Sequence, residues 1–144
     1  MNLKDQTNTI DKLGIKIGFR LLLVGGGGWL SKAVATRFDA QVDVMSTKLS
    51  EIPQTGSYDI IVIWAKNKSD LGKAFRTSKR LMKENGSVWA VVRKRTRKEI
   101  RPFSEIDVFS FGKDVGLVDV KVAGLSEYEY ALKFVIPLKR RGST

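Results

Sequence analysis

Four consecutive glycines, Gly25 to Gly28, separate the apolar run Leu21-Leu22-Leu23-Val24 from a helix-like stretch that opens at Trp29. A continuous apolar run bounded by glycines is the pattern of a central strand covered on both faces, and such strands belong to parallel sheets layered with helices. Glycine frees backbone amides at this turn, and the following helix adds the positive end of its dipole, so the loop points to a phosphate or carboxylate ligand. The run does not match the phosphate-loop pattern, because no Gly-Lys-Ser/Thr follows at the right spacing. It fits the dinucleotide pattern only if Ser31 stands in for the third glycine after Gly26 and Gly28. Anion binding and plain close packing of strand on helix account for the glycines equally well.

The rest of the chain continues the alternation. Phe19 to Val24 is the first strand, and Leu30, Ala33, Val34 and Phe38 fall at helical spacing after the glycines. Ahead of them, Thr9 to Gly14 predicts a short turn of helix. Gln41 to Met45 predicts a second strand, and Tyr58 to Ala65, rich in β-branched and aromatic residues, a third. Ser69 offers an N-cap for a helix whose apolar stripe is Leu71, Ala74, Phe75, Ser78, Leu81 and Met82 and whose stop is Asn85-Gly86. Ser87 to Val92 is a further strand. Ser104 and Asp107 form a capping-box pair before a helix running to about Val115. Leu117 to Gly124 and Tyr128 to Ile136 alternate as a terminal antiparallel hairpin, with Val118, Val120 and Val122 on one face and Tyr130, Leu132 and Phe134 on one face. The expectation is one Rossmann-like α/β domain over 1–138, a mostly parallel sheet with helices on both faces, followed by a disordered basic tail, 139–144.

Charge is unevenly spread over the 144 residues. The net charge is +11, yet residues 1–65 hold 7 basic and 6 acidic side chains and residues 102–144 hold 6 of each. Residues 66–101 hold 13 basic and 3 acidic, so one contiguous quarter carries nearly all the excess and points to a polyanionic partner. With no cysteine and no histidine, thiolate chemistry, disulfides and the commonest neutral-pH base and metal ligand are excluded. No signal-peptide pattern opens the chain and no apolar run is long enough to span a bilayer, so the expectation is a cytoplasmic protein without membrane association.

Lys12-Leu13-Gly14-Ile15-Lys16-Ile17-Gly18, Val88-Trp89 with Lys94 beyond it, Gly116-Leu117-Val118-Asp119, Lys121-Val122 and Leu132-Lys133-Phe134-Val135 together resemble a family of small, truncated Rossmann-like proteins. That family is a domain of unknown function related in fold to the S-adenosylmethionine-dependent methyltransferases. The resemblance implies a fold and carries over no catalytic residue. Methyltransferases of that fold usually carry one acidic residue just before the glycine loop and another at the end of the second strand, which holds the ribose. Here those places read Leu23-Val24 and Met45-Ser46-Thr47, and the nearest acid, Asp43, lies inside the strand. Loss of charge-assisted hydrogen bonds worth roughly 1.5–3 kcal/mol each disfavours S-adenosylmethionine as a cofactor.

In an open parallel sheet, ligands sit beyond the carboxyl ends of the strands. Those ends supply Gly25, Gly26, Gly27 and Gly28, then Lys48, then Lys66 and Lys68, then Arg93, Lys94, Arg95 and Arg97. The candidate ligand-binding residues are the four glycines with Lys66, Lys68, Arg93, Lys94, Arg95 and Arg97; no catalytic residue and no metal ligand is assigned. Trp29 and Trp64 lie near the same edge, where they would stack on a base or pack in the core, and core packing is the more economical role. Tyr128, Tyr130 and Phe134 make either a dimer patch or the seat of a helix. Three functions follow: a noncatalytic domain holding a nucleotide or nucleic-acid phosphate, a minimal methyltransferase acting on an anionic substrate, or a structural subunit that dimerises through its hairpin.

Overall fold

The computed structural model describes residues 3–94 and 101–142, with side chains from Asn8 onward. Its elements run in chain order α1 (Leu3–Leu13), β1 (Arg20–Val24), α2 (Gly28–Phe38), β2 (Asp43–Thr47), β3 (Tyr58–Ile63), α3 (Lys68–Leu81), β4 (Met82–Arg93), α4 (Glu105–Asp114), β5 (Val118–Gly124) and β6 (Glu129–Val135). The strands form one six-stranded sheet in the order β2-β1-β3-β4-β6-β5. β1 pairs in parallel with β2 and β3, and β3 with β4, while β6 runs antiparallel to both β4 and β5. The α/β architecture with a mostly parallel sheet and a terminal antiparallel pair is the one the sequence points to.

Strand alternation splits the core into two layers. Leu22, Val24, Ile61, Ile63, Val88, Ala90, Leu132 and Phe134 face α3 and α4, whose Leu71, Ala74, Phe75 and Val108 cover them. Leu21, Leu23, Ile60, Val62, Trp89, Val91 and Ala131 face α1 and α2, which contribute Ile10, Leu13, Leu30, Ala33 and Val34. A parallel sheet covered on both faces buries every residue of its central strands, and Leu21 to Val24 are all fully buried. Phe134, 1% exposed, meets Phe75 edge to face at 5.2 Å between centroids. Tyr130 is packed against the same cluster, so helices cover this face of the hairpin and Tyr128 alone of the three aromatics stays open.

Several local signals resolve differently in three dimensions. The N-cap of α3 is Asn67, whose Oδ1 accepts from the Asp70 amide at 2.9 Å, and not Ser69. That helix ends at Leu81, because Met82 turns extended to pair with Tyr58. Ser87 then pairs with Ile60, so Lys83 to Gly86 loop out of register, and Asn85-Gly86 turns this excursion instead of stopping a helix. β2 lies two residues later than the alternation around Val42 predicts. In β5 a register shift between Asp119 and Lys121 breaks the expected valine face. Val118 partners Val135 and Val122 partners Leu132, which lie on opposite faces of β6, so the two valines point to opposite sides of the sheet. Over the described residues 138–142, Leu138–Arg140 form a 3-10 turn, the Arg141 Nε donates to the Ile136 carbonyl at 2.6 Å, and the Gly142 amide donates to Glu84 at 3.1 Å; Ser143 and Thr144 lie outside the described residues. No helix among the described residues is long and apolar enough to cross a membrane.

Candidate functional site

The glycine loop continues the ladder of β1 before it leaves the sheet. The Gly25 amide donates to the Thr47 carbonyl at 2.9 Å and the Trp64 amide donates to the Val24 carbonyl at 2.8 Å, tying the ends of β1, β2 and β3 together. Gly25 and Gly27 adopt φ of 82° and 83°, the left-handed region that glycine enters without steric strain. Beneath them sits Trp64. A Cβ on Gly25 would overlap the Trp64 carbonyl oxygen, one on Gly27 would come within 2.5 Å of the indole, and one on Gly28 would meet nothing within 4 Å. The first three glycines are therefore spacing devices around one half-buried tryptophan, and Gly28 opens to solvent.

Packing does not exhaust the loop. The amides of Gly26, Gly27 and Gly28 have no hydrogen-bond partner among the described residues, α2 has no side-chain N-cap, and no acidic residue lies in its first turn. Gly26 and Gly28, with the helix dipole behind them, line an open cleft of about 590 Å³ together with Gly25, Lys48, Lys66 and Asp70, with Ser46, Thr47 and Ser50 along the β2 side. The β2 wall is braced, because the Thr47 hydroxyl donates to the Glu51 carbonyl at 2.9 Å and the Glu51 amide donates to the Lys48 carbonyl at 2.9 Å. Two lysines and a helix N-terminus thus share the cleft with one carboxylate.

The candidate residues divide into two groups. Gly25, Gly26, Gly28 and Lys66 line the cleft, while Gly27 is buried under the indole and the Gly25 amide is already committed to Thr47. Lys68 pairs instead with Asp107 at 3.5 Å, and Arg93 lies opposite Glu129 across the β4–β6 pair. The Lys94 amide donates to the Tyr128 carbonyl at 2.8 Å; Arg95 and Arg97 lie outside the described residues. Among the described residues, Asp107, Glu105 and Glu129 offset Lys68, Arg101 and Arg93. Ser46, Thr47, Leu49, Ser50 and Asp70 complete the cleft without being candidates from sequence; the available signal is their place just after β2 and at the start of α3.

The carboxylates fall into two kinds, with Glu105 and Asp107 held toward the charged form and Glu129 toward the neutral one. The Ser104 amide donates to Asp107 at 2.9 Å and holds its carboxyl below the usual range, with Lys68 adding to the effect. A backbone hydrogen bond and the Arg101 guanidinium, 2.9 Å away, likewise hold Glu105 low. Burial, reinforced by the negative charge of Glu105, pushes the Tyr130 hydroxyl up. Burial also raises Glu129, against the pull of Arg93. No group of three or more carboxylates that could hold a metal ion occurs among the described residues.

No protein-family model matches the sequence and no curated protein matches it. Solved structures do. A SAM-dependent methyltransferase from Aquifex aeolicus aligns with TM-score 0.64 at 18% identity over 92% of this chain and 90% of that one. An S-adenosylmethionine-dependent methyltransferase from Clostridium acetobutylicum aligns with TM-score 0.65 at 10% identity over 94% and 92%. The pyocyanin biosynthetic protein PhzM aligns with TM-score 0.70 at 15% identity, covering 94% of this chain and 55% of its own. At such identities the likeness establishes architecture, and the architecture of this chain is the Rossmann-like fold of the SAM-dependent methyltransferases.

Proposed function

We propose that this chain is a nucleotide-binding domain that holds a phosphate-bearing ligand in the cleft between the glycine loop and the end of β2, and binds it without transforming it. The observation that carries this reading is the charge of the cleft: Lys48, Lys66 and the uncapped N-terminus of α2 converge on a space whose carboxylate is Asp70. In dinucleotide-binding folds an acid at the end of the second strand holds a ribose hydroxyl, whereas a cation nearby accommodates a phosphate. Here that place carries Ser46, Thr47 and Lys48.

Titration calorimetry with adenosine, ATP and S-adenosylmethionine tests the reading. ATP is expected to bind at least about tenfold more tightly than adenosine, and Lys48→Gln with Lys66→Gln should erase that preference. Equal affinity for ATP and adenosine would sink it.

The fold match supports a second reading, a minimal S-adenosylmethionine-dependent methyltransferase on an anionic acceptor such as nucleic acid. Methyl transfer needs positioning above all and proceeds without a strong base. Low micromolar binding of S-adenosylmethionine, near −8 kcal/mol, with transfer of labelled methyl to nucleic acid, would put this reading first.

A further inference from the structure

The opposite edge of the sheet, where the parallel strands begin, holds a smaller pocket of about 340 Å³, within the lower range of ligand sites. Its polar lining is Lys16, Asp59, Asn85, Ser87, Lys133 and Arg141, brought from the α1–β1 link, the starts of β3 and β4, the end of β6 and the anchored tail. Asp59 is engaged already, since it accepts from the Arg20 amide at 2.8 Å and pairs with Lys83 at 3.2 Å. Lys16, Lys133 and Arg141 have no carboxylate partner among the described residues. Ser87 is 5% exposed and lines the pocket, yet its hydroxyl makes no hydrogen bond among the described residues. Three cations without an ion-pair partner among the described residues thus gather on one concave surface, beside a hydroxyl that opens onto it, and their donors are available to an anion.

Burial, aggravated by Lys121 and Arg141, pushes the Lys133 ammonium below its ordinary range. Its Nζ lies 5.8 Å from the ring centre of Trp89, which stabilises a cation but leaves its hydrogen-bonding capacity unused. An anion here would answer both the repulsion and the open donors.

We propose that Lys16, Ser87, Lys133 and Arg141 form a second site, on the edge of the sheet away from the glycine cleft, that takes a phosphate group, free or as a small phosphomonoester. Arg141 gives it a planar fork suited to two phosphate oxygens, Lys133 a point charge, and Ser87 a neutral donor at the floor. The tail thereby gains a role: the hydrogen bonds of Arg141 and Gly142 seat the guanidinium over the pocket.

The test is a titration of the full chain with inorganic phosphate, and separately with glycerol 3-phosphate, followed by amide NMR shifts at about 0.15 M salt, where diffuse surface attraction is screened. Saturable shifts centred on Ser87, Lys133 and Arg141 are expected. Lys133→Met should weaken binding by about tenfold or more, while Lys133→Arg keeps most of it. Because Lys133→Met removes a half-buried charge beside other cations, it should fold at least as stably as the parent, so lost binding is not lost structure. Lys48→Gln with Lys66→Gln should leave these shifts intact, which separates the site from the glycine cleft. Tighter binding of glycerol 3-phosphate assigns the pocket to esterified phosphate, and equal binding to the free ion. Shifts confined to Gly25–Gly28, shifts that never saturate, or unchanged affinity in Lys133→Met would overturn the proposal.

Discussion

Alanine placed singly at Gly25, Gly27 and Gly28 should give three different outcomes from three neighbouring positions. Gly25→Ala forces a side chain into left-handed backbone, at roughly 1–2 kcal/mol, and drives its Cβ into the Trp64 carbonyl oxygen. Backbone cannot swing away, so relief requires loosening the Gly25–Thr47 and Trp64–Val24 hydrogen bonds, each worth about 0.5–1.5 kcal/mol. The sum is about 2–5 kcal/mol, a large share of the 5–15 kcal/mol that stabilises a typical domain. Gly27→Ala bears the same backbone strain but meets only the indole, 2.5 Å away, which is half-buried and can shift; about 2–3 kcal/mol is expected. Gly28→Ala meets nothing within 4 Å and begins α2, so it should be neutral or stabilise by up to about 1 kcal/mol. Urea unfolding followed by tryptophan fluorescence measures all three. Trp64→Leu added to Gly27→Ala should recover the clash and leave the strain. Equal midpoints for Gly25→Ala and Gly28→Ala, or no recovery from Trp64→Leu, would refute the view that these glycines are shaped around Trp64.

Phe134→Ala should destabilise by about 3–5 kcal/mol in the same assay, because a buried ring packed on Phe75 leaves a cavity between α3, α4 and the sheet. Asp107 has its folded pKa below the unfolded one, so the stability it contributes is present above the usual carboxylate range and is lost as pH falls through the depressed value. Asp107→Asn should therefore unfold more readily at neutral pH and show a flatter acid limb in pH-dependent melting. Adsorption of this +11 chain to duplex DNA should fall steeply between about 50 and 200 mM salt with little sequence preference; affinity that stays flat excludes phosphate contacts as its source. Changing Arg93, Arg95 and Arg97 together to Ser should weaken that adsorption more than changing Arg76, Lys79 and Arg80, and equal losses would mean a diffuse charged surface.

Features settled within a few residues were legible without coordinates. The run Leu21 to Val24 is a central strand because nothing polar interrupts it, the glycines after it open a turn into α2, and Ser104 with Asp107 starts α4 through bonds that span one turn of helix. Lys66 and the glycine loop likewise reach the cleft because strand ends and helix starts adjoin in any such sheet. Other outcomes depend on partners far away in sequence. That the Gly25 amide belongs to Thr47, that Trp64 fills the space three glycines leave, and that Lys68 and Arg93 meet Asp107 and Glu129 are consequences of strand order and register. The shift at Asp119–Lys121 sends Val118 and Val122 to opposite faces, although strict alternation within β5 assigns them one. Sequence by itself determined the α/β alternation and the place of the loop, since those follow from local burial and backbone preference. Only the tertiary structure decided which donors and charges stay free, because a hydrogen bond or ion pair is claimed by whichever group the packed sheet brings within about 3–4 Å.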